Sequence, residues 1–271
     1  MSGRTVIVTG ASSGIGEATA RAFGQAGDRV VLAARRVDRL QQVAAALPNS
    51  LVVPADLTKS EDVARVATEA LARYGRIDVL VNNAGLGKYD WLERLPEEDI
   101  RTEIQVNMIA PILLTRAVLP AMQAQGRGVI INVASVAGKI STPTMSIYNA
   151  TKFGLDGFSE ALRREVGPQG IHVCVIYPGP VAGTELGAKR TKGAGRSMVS
   201  SRMKRLPGLQ TNTGRVAQAI VRLADHPRPR KVIPGLYNVA IALNTLFPSL
   251  VDVLVARAAR RARDAVTGSQ P

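Results

Sequence analysis

Tyr148 and Lys152 stand four residues apart in the stretch YNATKFG, which puts a phenol and an ammonium one helical turn from each other. At that spacing two side chains share one face of a helix. A neighbouring cation favours the phenolate and lowers a pKa that starts at about 10, so the tyrosine becomes a usable proton donor near neutral pH. The same two residues also describe an ordinary exposed helix pair. Other proton-transfer chemistry is poorly supplied. His172 and His226 are the only histidines, and neither has a cysteine or carboxylate partner at metal-ligand spacing, so no metal site is expected. Cys174, the single cysteine, lies in the apolar run IHVCVIYPG and reads as a small buried hydrophobe.

A second group of residues suits an anionic ligand. An apolar run leads straight into TGASSGIG (Thr9–Gly16), followed by an Ala-rich helical pattern. Gly10, Gly14 and Gly16 let the backbone turn tightly, with Ser12, Ser13 and Ile15 between them, and the free N–H groups of a helix start favour a pyrophosphate. The spacing is not the G-x-G-x-x-G form, so the strand–turn–helix context carries the reading against a plain glycine-rich turn. The next apolar run ends VVLAARR, where an NAD site would often present a carboxylate to the ribose 2′-hydroxyl. Arg35 and Arg36 stand there instead and would pair with a 2′-phosphate, so NADP(H) is expected, with NAD(H) as the alternative. Two arginines opening a solvated helix is the plainer reading. Asp56, followed by Leu57, ends a third run, placed to face an adenine or to cap a helix.

These residues need a scaffold, and the chain supplies one. TVIVTG, DRVVLAA, SLVVPAD, IDVLVNNAG, GVIINVAS and IHVCVIYPG are nearly continuous apolar runs, as expected of strands covered on both faces. Helical segments such as Gly14 to Gly27, Arg36 to Leu47 and Ser60 to Tyr74 alternate with them. The expectation is a doubly wound α/β fold with a parallel sheet and helices on both faces. A chain of 271 residues, 46% hydrophobic, can bury one large core, so one domain is the default. The net charge of +14 suits anionic ligands or lipid surfaces. Nucleic acid is not expected, because only 4% of residues are aromatic and no zinc-finger or RNA-binding signature occurs. The N-terminus lacks a signal-peptide pattern, which points to the cytoplasm.

Taken together and in order, the motifs resemble the short-chain dehydrogenase/reductase family over about Arg4 to Gly235. The resemblance rests on TGASSGIG, NNAG (Asn82–Gly85), Asn107 in QVNMIAP, Ser135 in INVASVAG, YNATK (Tyr148–Lys152) and YPG (Tyr177–Gly179). It implies a Rossmann-type domain with about seven strands, the last at KVIPG, that interconverts a small carbonyl substrate and a secondary alcohol. Tyr148 would be its general acid or base and Ser135 would hydrogen-bond the reacting oxygen. Lys152 would support Tyr148 and the nicotinamide ribose, while Asn107 would hold a water in a relay to that lysine. Asn83, Ala84 and Gly85 would lie along the cofactor, and Pro178, Gly179 and Val181 would shape the nicotinamide pocket. Thr184 would contact the carboxamide, although PGPVAGTEL carries one residue more than the family's usual spacing. The family also implies a homodimer or homotetramer through about Thr102 to Gln123 and Tyr148 to Val166.

The remaining features set rival readings. Lys189 to Arg205 holds seven basic residues and no acid, within an expected substrate lid at about 184–210. It suits an anionic or carrier-linked acyl substrate, an acidic membrane, or merely a solvated lid. Residues 1–235 are taken as the catalytic domain and 236–271 as a C-terminal helical extension. In that extension Leu250, Leu254 and Ala258 are expected on a stripe opposed to Arg257, Arg260, Arg261 and Arg263, for docking on a partner subunit or an anionic bilayer. Val232 to Val251 is uncharged throughout, but Pro234, Asn238, Asn244 and Pro248 argue against a spanning helix. A nucleotide sensor without turnover is the reading from another class, and the Tyr148–Lys152 pair argues against it.

Overall fold

A computed structural model describes residues 3–185 and 208–267. Its strands are β1 (Thr5–Thr9), β2 (Arg29–Ala34), β3 (Ser50–Pro54), β4 (Val79–Asn82), β5 (Gly128–Val133), β6 (Ile171–Pro178), two short pieces β7 (Val181–Ala182) and β8 (Thr211–Asn212), and β9 (Arg230–Ile233). Seven of them form one sheet in the order β3-β2-β1-β4-β5-β6-β9, with every neighbour pair parallel. The short pair β7 and β8 lies apart from it.

Both faces are covered, as the apolar runs require. In β1, Val6 and Val8 join one core cluster while Ile7 joins the other, the alternation expected of a pleated strand buried on two sides. Helices α1 (Gly14–Gln25), α2 (Val37–Ala44) and, later in the chain, Thr213–Asp225 close the first face through Phe23, Leu40 and Ile220. Helices α3 (Ser60–Tyr74), α5 (Ala110–Ala124) and α6 (Ser146–Val166) close the second through Val66, Leu114 and Leu162. Between α3 and α5 runs α4 (Glu97–Ile104), which continues into α5 through a π-helical turn at Gln105–Ile109. The helix Thr213–Asp225 is α7, and α8 (Tyr237–Leu246) and α9 (Pro248–Thr267) complete the described chain.

Some boundaries differ from expectation. Helix α2 ends three residues before Leu47, because the chain turns there and drives the Leu47 side chain against Gly24 of α1. The expected stripe on α9 also needs correction. Val251, Val255 and Ala258 turn toward the protein, whereas Leu250 and Leu254 share the exposed face with Arg257, Arg260 and Arg261. At about 100° per residue, positions 250, 254, 257 and 261 fall within one narrow sector, so apolar and basic groups succeed each other along the helix instead of opposing each other across it. Most of the expected lid, including the basic run from Lys189, lies outside the described residues.

Candidate active site

Sheet order reverses between β1 and β4, and ligands of open parallel sheets bind where the order reverses, beyond the C-terminal strand ends. A cavity of about 890 Å³ opens there. Its floor is the glycine loop. Gly10 has φ +66°, and a Cβ on it would fall 2.9 Å from Asn83 Nδ2. Gly16 is held tighter, since its Cβ would lie 2.1 Å from the Gly10 carbonyl oxygen. It therefore packs the start of α1 onto the loop from behind, while Ser12, Ser13, Gly14 and Ile15 face the cavity with the helix N-terminus.

Thr9 joins this loop to the NNAG segment, a role that sequence reasoning missed although the residue opens its own motif. Its hydroxyl accepts the N–H groups of Asn83 and Ala84, each at 3.0 Å, and its carbonyl accepts from Asn83 Nδ2 at 2.8 Å. Asn83, Ala84 and Gly85 are thereby set along one wall of the cavity.

At the end of β2 the two arginines part company. Arg36 donates to the Ser12 and Ser13 hydroxyls at 3.1 and 2.8 Å and pairs with Glu185 at 2.6 Å, while Arg35 is exposed at the rim. Asp56 lines the cavity but is engaged locally: its carboxylate accepts the N–H and hydroxyl of Thr58, the cap-like arrangement that its position allowed. Leu57 is buried beside it.

The far end of the cavity is built on α6. Tyr148 and Lys152 are both buried, at 5% and 3% exposure, so they are not an exposed helix pair. Lys152 Nζ lies 5.7 Å from the Tyr148 ring centroid and donates to the Val133 carbonyl at 3.0 Å. Burial pulls the Lys152 ammonium down to about 8, which Glu103 partly opposes. A buried chain of side chains fixes α6 against the sheet: Asn82 donates to Asn132 at 2.8 Å, and Asn132 donates to the Ser159 hydroxyl at 2.7 Å.

Ser135 lines the same cavity at the end of β5. Its hydroxyl accepts the Ala137 N–H at 3.1 Å and makes a long contact of 3.4 Å to the Pro178 carbonyl. Asn107 stands behind the wall in the π-helical turn, a feature frequent at functional sites. Its side chain grips Leu86 twice, accepting from the N–H at 2.9 Å and donating to the carbonyl at 2.8 Å. A Cβ on Gly85 would fall 3.3 Å from Asn107 Oδ1 and 3.6 Å from Lys152 Nζ, so these polar groups converge behind that glycine.

Pro178, Gly179, Val181 and Thr184 close the cavity from the β6 side, and Thr184 approaches Gly14 across it. The cavity thus gathers every expected site residue except Gly16 and Asn107, which support its walls. Two residues at the Tyr148 end were not foreseen. Tyr89 meets Tyr148 edge-on at 5.9 Å, and Met145, the residue immediately before α6, is buried. Neither lies in a motif, and only the folded chain shows them. Glu103 is another: fully buried near Lys152 and Lys88, it has its carboxyl pushed up to about 7 by burial.

The donors fit a dinucleotide. Positive-φ glycines and a helix N-terminus suit a pyrophosphate, arginines suit a ribose phosphate, and the cavity is long enough to reach Tyr148. Fold and site define a nucleotide-binding α/β oxidoreductase of Rossmann type. The family model described as short chain dehydrogenase matches residues 4–195. "Dehydrogenase/reductase SDR family member 7B" of Danio rerio is 34% identical, over 95% of this chain and 86% of that protein. "11-beta-hydroxysteroid dehydrogenase A" of Sesamum indicum is 37% identical, over 93% of this chain and 74% of that one. A solved short-chain dehydrogenase from Streptomyces avermitilis superposes with a TM-score of 0.79 at 32% identity, covering 96% of this chain and 98% of its own. A metagenomic short-chain oxidoreductase solved in complex with NADP gives 0.70 at 33% identity, covering 86% and 96%. The chain belongs to the short-chain dehydrogenase/reductase family and is an enzyme of that family.

Proposed function

We propose that the protein is an NADP(H)-dependent oxidoreductase that interconverts a small carbonyl compound and a secondary alcohol. The observation that carries this reading is the burial of Tyr148 and Lys152 side by side at the end of a cavity that begins at the glycine loop. A nucleotide sensor has no need to bury an ammonium next to a phenol, which costs desolvation.

Gly10, Gly14 and the start of α1 would hold the pyrophosphate, and Arg35 and Arg36 the 2′-phosphate. When bound, the reduced nicotinamide supplies hydride. Tyr148 gives its proton to the carbonyl oxygen, and the Ser135 hydroxyl exchanges its weak contact with Pro178 for a hydrogen bond to that oxygen as charge grows there. Lys152 favours loss of the Tyr148 proton. Because the Asn107 side chain is committed to Leu86, a water relayed to Lys152 would meet its main-chain carbonyl in the π-helical turn. Gly179 and Thr184 would border the nicotinamide.

Tyr148→Phe tests the chemistry. A positioned acid contributes typically about 10²- to 10⁴-fold, so carbonyl reduction should fall at least about a hundredfold with nucleotide binding retained. A fall of less than about tenfold on a verified substrate sinks the assignment. Titration of NADPH against NADH, with Arg35→Asp beside the parent, tests the cofactor: a parent that prefers NADH overturns NADP(H).

We read the assembly as a homodimer or homotetramer through residues 102–123 and 148–166, where Ile104 and Phe153 are exposed. On location, the same reading has a cytoplasmic protein that meets an anionic membrane peripherally through its C-terminal segment. A second reading keeps the reaction but takes a lipid-linked or carrier-linked acyl ketone, and the exposed apolar surface of α8 and α9 favours it.

A further inference from the structure

Most proteins bury an uncharged helix on the side facing the core and present polar groups outward. Helix α8 does not. Its inner side holds Tyr237, whose ring abuts Gly179, and Asn244, which donates to the Lys139 carbonyl at 3.3 Å. Its outer side presents Val239, Leu243 and Leu246, each at least half exposed. Phe247 at the bend is 53% exposed, and Leu250, Val253 and Leu254 continue the apolar surface onto α9. Large exposed apolar patches of this kind mark interaction sites.

The shape of this surface decides against a span. The two helices meet at 108°, and ten residues of α8 reach only about 15 Å, half of a bilayer's hydrocarbon core. The helix Glu97–Ala124 is long and apolar enough to cross a membrane, but its Leu114, Val118 and Met122 are buried against the sheet.

The charge beside the patch selects its occupant. Arg257, Arg260 and Arg261 extend the Leu250–Leu254 face of α9 by two turns, exposed and without an ion pair among the described residues. Asp252 points to the other side of the helix. A second copy laid on this surface would bring only more arginines, on a chain already at +14, and no carboxylate to meet them. An anionic bilayer offers both layers in the right order, acyl boundary for the leucines and phosphates for the arginines.

We propose that the outward face of α8 and the first four turns of α9 dock on an anionic lipid bilayer, with Leu243, Leu246 and Leu250 in the interfacial layer and Arg257, Arg260 and Arg261 on lipid phosphates. The proposal rests on the peripheral placement above and specifies its surface. Docking holds the substrate end of the cavity at the membrane, because Tyr237 supports the Gly179 wall and Arg263 stacks on Trp91 at 4.8 Å, two residues from Tyr89.

Full-length protein is sedimented with phosphatidylcholine vesicles, with and without about 30% phosphatidylserine. The parent should pellet with the anionic vesicles and not with the neutral ones. Leu243→Asn/Leu246→Asn keeps every charge and should lose at least about tenfold in vesicle affinity. Arg257→Gln/Arg261→Gln should weaken binding while leaving the patch intact. NADPH binding and the melting temperature report that each variant is folded. Three results each overturn the proposal: no pelleting by the parent, full pelleting by the leucine variant, or a parent dimer in analytical ultracentrifugation that the leucine variant dissociates. Because the readout is lipid binding and not turnover, failure here leaves the reductase reading standing.

Discussion

Glu103 and Lys152 set the pH behaviour of the candidate site between them. Burial raises the Glu103 carboxyl from its ordinary range to about 7, and the groups facing it are Lys152, Lys88 with its backbone N–H, and Asp99. An acid whose folded value lies above its unfolded value helps folding most in acid. That contribution is present below about 4.5 and is lost as pH rises through 7. Glu103→Gln should therefore raise the melting temperature at pH 8 and leave it nearly unchanged at pH 5, with a difference of up to about 3 kcal/mol. Thermal unfolding at the two pH values checks this, and equal effects at both would refute it. A second readout concerns Lys152, which burial lowers to about 8 and which the Glu103 carboxylate helps to keep charged. If its ammonium supports Tyr148, carbonyl reduction declines as pH passes about 8, and Glu103→Gln should move that decline to lower pH. An unmoved pH–rate profile separates Glu103 from the reaction.

At the scale of elements, the nucleotide loop depends on how closely α1 approaches β1. A Cβ at Gly16 would meet the Gly10 carbonyl, a backbone group that cannot swing aside. Gly16→Ala should cost about 1–3 kcal/mol of stability and abolish tight nucleotide binding, whereas Gly126→Ala, at a surface turn with open space around its Cβ, should spare binding and affect stability alone. Calorimetric titration with NADPH on both variants discriminates them. The strands were legible in the sequence because strands covered on both faces read as unbroken apolar runs, and the glycine loop because its positive-φ turns demand glycine. Helical pitch put Tyr148 and Lys152 on one face, the ordered set of motifs around them carried their assignment, and only packing revealed that they are buried. Glu103 was hidden: within EEDIRTEI it reads as one more solvated acid, and only the folded chain shows it fully buried with the Lys88 N–H on its carboxylate. Tyr89 and Met145 were equally silent, since contacts across the chain and not local spacing bring them to the cavity. The Arg35–Arg36 pair was found but not resolved, because which guanidinium reaches the serines depends on where β2 stops.

Over the whole molecule, the excess of positive charge favours the approach of anions, and the rate of nucleotide encounter should fall as salt is added. Stopped-flow association of NADPH at low and high ionic strength measures this, and a salt-independent rate would exclude such steering. The equilibrium need not follow the rate. Arg36 is already neutralised by Glu185, so an arriving ribose phosphate takes the place of an acid that the protein itself supplies. At Arg36 one ion pair is exchanged for another, while Arg35 gains a partner. The dissociation constant of NADPH should then depend on salt less steeply in the parent than in Glu185→Gln, which should bind more tightly at low salt. The exchange also reaches the cavity wall, because Glu185 lies one residue beyond Thr184 and both line the space that the nucleotide would enter.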